Sequence, residues 1–363
     1  MTVPISAEAF DPRTPLLRAR AHDGLPPALD AAAEGARPSH RFLRRAWFAA
    51  ALDAYGGCAR TMVVDRDGVP LAALPLTTIG PRWLRAASVP GCYWPFRSFP
   101  SEAAAGADVF ASLASGLARE VNALRIGPVY DDDASAMPLI DAARASGWAV
   151  LDRKIADSHV LDMDAAGAEG PWPRNSTLRK NRFHEKHLAA HGTLDWSFVH
   201  GDNWTPAAFD ALAGIEQASW IANRTDGSDA KFTAAGHGAF WRAAAADPVI
   251  ARMMWAALLR VDGRPAAFSF DINAGALKYA IANSYDPAFA KHSPGKLLYY
   301  RNLVRAREDG IACVDWGAGD SEYKATIGAE PGPAIRDWLL LRPGLPAFAG
   351  RLLGTAWRRS GQG

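Results

Sequence analysis

Val63-Val64-Asp65-Arg66-Asp67-Gly68-Val69-Pro70-Leu71-Ala72-Ala73 returns in the second half of the chain as Leu258-Leu259-Arg260-Val261-Asp262-Gly263-Arg264-Pro265-Ala266-Ala267-Phe268. Each copy is an apolar run, an Asp-Gly turn, a proline and a second apolar run. That order predicts a β-hairpin, because Asp-Gly supplies the positive φ values of a tight turn and the flanks supply strands. The segment ahead of it also recurs, as Ala46-Trp47-Phe48-Ala49-Ala50-Ala51 and Phe240-Trp241-Arg242-Ala243-Ala244-Ala245. Downstream, a helical stretch leads to Leu124-Arg125-Ile126-Gly127 in one copy and to Val314-Asp315-Trp316-Gly317 in the other. Three correspondences in one order predict two copies of one α/β unit.

Working outward from the second hairpin, helices are expected over 176–190, 206–221, 236–246 and 295–309. Strands are expected over 194–199, 277–283, 311–315 and 335–341. A loop over 284–294 and a glycine-rich loop over 316–332 interrupt them, and a basic tail forms a frayed helix. This is a mixed sheet with helices on its faces. The expected division is residues 1–165, residues 166–345 and a C-terminal tail, 346–363.

Composition bounds the function. The chain has 363 residues, 49% hydrophobic and 21% charged, which excludes disorder and coiled coil for the whole. Forty basic residues balance 38 acidic ones, so no global field selects nucleic acid or an anionic membrane. Cys58, Cys92 and Cys313 form no CxxC pair, which fits a reducing compartment and excludes a cysteine zinc knuckle. No secretory signal or membrane-spanning run is read, and a soluble, cytoplasmic protein is the expectation.

Three constellations can carry chemistry. The first is the loop Tyr285-Asp286-Pro287 through Ser293-Pro294-Gly295-Lys296, which ends at a helix start. Ser293 can cap, Pro294 suits the first helical position, Gly295 lets a ligand approach the backbone, and Lys296 adds a charge for a phosphate. The same residues also make an ordinary capped helix. The second is Asp315-Trp316-Gly317-Ala318-Gly319-Asp320-Ser321-Glu322-Tyr323-Lys324. A carboxylate there can act as general base and a lysine can stabilise an oxyanion; a solvated turn is the alternative. The third is the helix carrying Arg179, Arg182 and Lys186 on one face, suited to a diphosphate or an RNA backbone or simply to solvent. His187 and His191 have metal-ligand spacing but no third ligand nearby, and no metal is expected. Glu216 and Trp220, four apart, can line a pocket together, or be a core tryptophan beside a solvated glutamate.

These strings resemble the GNAT-type acyltransferases of the CelD-like cellulose-biosynthesis group. The resemblance rests on Tyr285-Asp286-Pro287, Ser293-Pro294-Gly295, the glycine-rich 315–320 stretch and Tyr323-Lys324. It continues in Leu178-Arg179-Lys180-Asn181-Arg182 and Glu216-Gln217-Ala218-Ser219-Trp220. It spans roughly 175–345, and the repeat supplies a matching first unit, so it implies two tandem GNAT-like domains. A duplicated GNAT fold is also that of the Fem-type aminoacyltransferases, whose late aromatic-Lys-x-x-aromatic-Gly motif is partly echoed by Tyr323-Lys324-Ala325-Thr326-Ile327-Gly328.

The resemblance implies transfer of an acyl group, with acetyl-CoA or another acyl-CoA as donor, to an amine or hydroxyl. The setting it implies is cell-envelope or exopolysaccharide metabolism, the acceptor being a small molecule or a sugar or peptidoglycan precursor, in a membrane-peripheral synthesis complex. Lys324 would stabilise the tetrahedral intermediate, Asp315 or Asp320 would be the base, and Tyr323 would stand beside them. Ser293, Pro294, Gly295 and Lys296 would hold the donor, and Arg179, Arg182, Glu216, Trp220 and Tyr285 the acceptor. The Fem-type alternative takes charged tRNA as donor and is the one case with a nucleic-acid partner; a non-catalytic binding module is the third. The sequence departs from the Arg/Gln-x-x-Gly-x-Gly/Ala pattern of ordinary GNAT enzymes, having His292-Ser293-Pro294-Gly295-Lys296-Leu297 there. Its first copy has Pro95-Phe96-Arg97-Ser98-Phe99-Pro100-Ser101 at the equivalent place. The first unit is therefore expected to be a scaffold or substrate wall.

Overall fold

Both Asp-Gly hairpins form as the repeat predicts. Asp67 and Gly68 have φ of 54° and 85°, and Asp262 and Gly263 have 47° and 76°, so both central residues of each turn are left-handed, as a two-residue hairpin of this twist requires. The computed structural model describes residues 17–168, 170–219, 230–319 and 322–359. The first hairpin joins β2 (Ala59–Arg66) to β3 (Val69–Thr78), and the second joins β8 (Met254–Val261) to β9 (Arg264–Ala274).

Around them lie β1 (Leu17–Asp23), β4 (Ala86–Ser88), β5 (Ala123–Tyr130), β6 (Ala149–Asp162), β7 (Leu194–His200), β10 (Leu277–Tyr285), β11 (Cys313–Asp315) and β12 (Glu330–Leu341). All twelve belong to one sheet, in the order β1-β2-β3-β4-β5-β12-β6-β11-β10-β9-β8-β7. The order reads alike from either edge. Four strands run antiparallel inward, then one parallel pair follows, β4 with β5 and β10 with β11. The centre is an exchange: β12 pairs with β5, β6 pairs with β11, and β12 and β6 pair with each other. Buried Asp337 of β12 pins this centre, taking hydrogen bonds from Arg125 of β5 and Arg153 of β6, each at 2.7 Å.

The recurring aromatic helices meet. Trp47, on the Arg45–Tyr55 helix, makes edge contacts with Phe240 at 4.7 Å and Trp241 at 5.8 Å, both on the Gly238–Ala244 helix. Each ring is fully buried, and the cluster continues through Phe42 and Phe96. The repeat thus builds a shared core where the two halves adjoin.

Element positions agree with the sequence reading to within a few residues, with two corrections, and the expected tail helix forms. The expected 316–332 loop contains a short helix, Glu322–Ile327, and β12 begins at Glu330. A further helix, Pro248–Met253, is started by Asp247, whose carboxylate accepts the N–H groups of Val249 and Ile250. The C-terminal tail is helical from Leu345 to Arg359.

Candidate functional site

β10 and β11 pair only over Leu277–Tyr279 and Cys313–Asp315. Beyond Tyr279 the β10 edge facing β11 has no strand partner among the described residues, while its other edge stays paired to β9 through Tyr285. A bulge between Ala280 and Ala282 adds twist at the point of divergence. Such an opening between parallel strands, at their carboxyl ends, is where sheets of this class receive ligands.

The opening holds a cavity of about 270 Å³ lined by Ala280 to Asn283, Ser269, Trp316, Ala318, Gly319 and Lys324, together with Trp94 and Lys231. Trp94 comes from the first half and lies against Gly317, where a Cβ would stand 2.3 Å from its ring. Gly317, at φ 61°, is required by both backbone and contact. Lys231 is placed by Glu216, whose buried carboxylate accepts the backbone N–H groups of Lys231 at 2.9 Å and Phe232 at 2.8 Å. Burial pushes the Glu216 carboxyl up, against the pull of those two N–H groups and the Lys231 charge.

Lys324 is 4% exposed, and its ammonium donates to the carbonyls of Gly317 at 3.1 Å, Ala318 at 2.8 Å and Gly319 at 2.7 Å. Its donors therefore shape the loop that walls the cavity. It reaches a reacting oxygen only by releasing one of these carbonyls.

Asp315 ends β11 and is 5% exposed. Its carboxylate accepts the Gly317 N–H at 2.6 Å. Burial raises its pKa to about 6, offset by the Gly317 N–H, the Tyr130 hydroxyl and the Lys324 charge. The pleat turns Asp315 and Cys313 toward the sheet face opposite Trp316. There they line a second cavity of about 330 Å³ with Tyr279, Tyr130, Phe96, His40 and Asp132. Buried Asp133 accepts from Ser98 Oγ at 2.7 Å and lies 3.2 Å from His40 Nε2. Burial opposes its ionisation, but His40, Ser98 and the Ala136 N–H outweigh that and hold it below the usual carboxylate range. Asp132, by contrast, is pushed up, first by burial.

The remaining residues singled out by the sequence fall elsewhere or outside the described residues. Ser293 is left-handed at φ 50° and makes no side-chain capping bond to the Pro294–Glu308 helix, contrary to its expected cap. Gly295 is buried; a Cβ there would meet Tyr285 Cδ1 at 3.1 Å and Asn283 Oδ1 at 3.2 Å, so the glycine seats the helix against the end of β10. Lys296 is half-buried one residue further on. Arg179 and Arg182 lie on the Asn175–Leu188 helix, apart from the Lys324 cavity. Trp220, Asp320 and the side chain of Tyr323 lie outside the described residues. Among the described residues no group of three His, Cys, Asp or Glu side chains is arranged to hold a metal.

Trp94, Tyr130, His40, Asp132 and Asp133 are not signalled by the second-unit motifs, from which they lie far along the chain. The local signals for them are the aromatic Tyr93-Trp94-Pro95-Phe96 run and the Tyr130-Asp131-Asp132-Asp133 run.

The sheet, with its doubled parallel pair opening beside a glycine-rich loop, is a tandem GNAT-like α/β fold. Residues 175–325 match the family described as "Acetyltransferase (GNAT) domain". Among solved structures, FemX superposes with a TM-score of 0.55 at 12% identity, over 90% of this chain and 97% of that one. A conserved protein of unknown function from Bacteroides thetaiotaomicron gives 0.53 at 13% identity, over 89% of this chain and 100% of that one. The C-terminal DUF2156 domain of a protein assigned as a lysylphosphatidylglycerol synthetase, from Agrobacterium fabrum, gives 0.52 at 13%, over 92% and 97%. Likeness at these identities is likeness of fold. Among curated proteins none matches this sequence.

Proposed function

We propose that this chain transfers an acyl group from a carrier ester or thioester to an amine or hydroxyl, with the chemistry in the second of two GNAT-like units, 166–345, and the first, 1–165, as scaffold and wall. The observation that carries this reading is Asp315, a buried carboxyl with a pKa of about 6 where β10 and β11 part. A base of that strength is largely ionised at neutral pH and still accepts a proton from the attacking group. The unpaired β10 edge offers backbone donors and acceptors to an extended, amide-bearing carrier arm, which suits acyl-CoA.

In this scheme the acceptor reaches Asp315 from the cavity it lines with Tyr130 and Tyr279, while on the other face Lys324 holds the Gly317–Gly319 loop, which walls a cavity shared with Trp94 and Lys231. Of Ser293 to Lys296, at the start of the Pro294–Glu308 helix, it is the half-buried Lys296 ammonium and the free N–H groups of the first turn that take the carrier's phosphates, since Tyr285 and Asn283 fill the space beside Gly295. The acceptor comes from cell-envelope or exopolysaccharide metabolism, a setting supported by the CelD-like resemblance. Calorimetric titration with acetyl-CoA and a longer acyl-CoA is expected to show saturable binding that weakens about tenfold or more in Lys296→Ala, the loss of one charge-assisted phosphate contact. Absence of binding to the wild type would remove acyl-CoA as donor.

A Fem-type reading, with charged tRNA as donor, is supported by Arg179, Arg182 and Lys186, which share one face of the Asn175–Leu188 helix. On that reading, binding of charged tRNA weakens steeply with salt and the Arg179→Glu, Arg182→Glu pair reduces the salt slope. A salt-independent interaction, or none, would dismiss it.

A further inference from the structure

The C-terminal helix carries two apolar faces where a surface helix carries one. Its inner face packs on the sheet: Ala347 is buried, a Cβ on Gly350 would collide with Leu341, and Trp357 lies under the Arg153 guanidinium at 4.3 Å. Its outer face presents Leu345, Phe348 and Leu352, at i, i+3 and i+7, exposed by 85%, 64% and 71%. Beside the helix runs an apolar groove lined by Trp83, Leu84, Leu151, Leu339, Leu341 and Pro346 among others. Trp83, on the opposite bank, is 77% exposed.

The two segments that carry Trp83 and the helix are one-sided in charge. Residues 79–90 and 342–359 contain Arg82, Arg85, Arg342, Arg351, Arg358 and Arg359 and no aspartate or glutamate, in a chain whose charges otherwise nearly balance. Arg82, Arg85, Arg358 and Arg359 are exposed. We infer that this face docks the protein on an anionic lipid bilayer, Leu345, Phe348, Leu352 and Trp83 entering the headgroup–acyl boundary while the arginines meet lipid phosphates. An exposed apolar stripe bordered by cations is the pattern of a helix lying in the membrane interface. A second copy of the chain fits less well, because a symmetric contact would set these arginines against each other with no acid between them.

The inference concerns binding alone and does not depend on the proposed chemistry. Its test is sedimentation of the full chain with vesicles of pure phosphatidylglycerol and of pure phosphatidylcholine. Binding to the first and little to the second is expected, with release at high salt. Joint replacement of Leu345, Phe348 and Leu352 by Ser, and separately Arg358→Glu with Arg359→Glu, should each weaken binding about tenfold or more. Trp83→Ser, outside the helix, should weaken it too and covers the case in which the helical variant misfolds, which circular dichroism reports. Equal recovery with both lipids, no recovery with phosphatidylglycerol, or undiminished binding by the folded variants would overturn the inference. So would a wild-type dimer in sedimentation velocity that the Leu345, Phe348 and Leu352 replacements convert to monomer, which assigns the face to a second copy.

Discussion

Asp315→Asn is expected to lower kcat/KM for acyl transfer by roughly 10²–10⁴, the range contributed by a positioned general base, while making the protein more heat-stable at neutral pH. The two effects share a cause. Asp315 is buried with a pKa of about 6, above its ordinary 3.8. The folded state therefore holds this proton more tightly than the unfolded chain does. The associated stability is fully present below the unfolded pKa and is lost as pH rises from the ordinary carboxylate range through about 6. At pH 7 the ionised group costs up to about 3 kcal/mol, since every tenfold difference in proton affinity between the folded and unfolded states is worth about 1.36 kcal/mol. Asparagine removes that cost while its Oδ1 can still accept the Gly317 N–H.

The pH profile carries the same sign. Wild-type kcat/KM should rise through about pH 6, as Asp315 loses its proton, and level off above it. The rising limb should vanish in Asp315→Asn. Rate measurements from about pH 5 upward, below the pKa of Asp315, together with melting curves on both proteins, decide the matter. Full activity in the variant would end the assignment, and its loss in Asp320→Asn instead would move the base to Asp320.

Replacing Lys324 by alanine should reduce turnover at least about 100-fold, as expected when a preorganised site loses its electrostatic frame, and should also lower stability. From the sequence alone the expectation is a fold left intact. The structure adds the second effect, because the carbonyls of Gly317, Ala318 and Gly319 all lose their ammonium donor together. Of these only Gly317 is buried, so its carbonyl left unpaired costs about 1–3 kcal/mol, while water can replace the lysine at the exposed Ala318 and Gly319. Lys324→Met keeps the length of the side chain and should show the same double loss. Unchanged turnover would remove Lys324 from the site. Lost turnover with an unchanged melting temperature would instead favour direct contact with the reacting oxygen.

Asp315, Lys324, Tyr285 and Gly295 are legible as neighbours in the sequence because one short motif follows another along β10, its helix and β11. Some of their roles are not legible. The sequence suggests room for a ligand at Gly295, whereas its missing Cβ admits Tyr285 and Asn283. Spacing suggests that Glu216 lines a pocket, yet both of its oxygens are spent on the backbone of Lys231 and Phe232. A carboxylate's partners are set by what the fold brings to it, and no spacing encodes a contact between residue 216 and residue 231.

By itself the sequence determined that the chain is a doubled α/β unit, since apolar alternation, Asp-Gly turns and recurring aromatics are local properties that repeat wherever the residues repeat. The tertiary structure decided the rest. It exchanged β12 and β6 across the sheet centre, and it brought Trp94, Tyr130 and His40 of the first half to cavities lined by the second. Burying Asp315 where two strands part is likewise a property of the assembled sheet. Strand exchange and burial arise from long-range pairing, whose free energy depends on the surface removed from water when distant segments meet. Neighbouring residues carry no record of it.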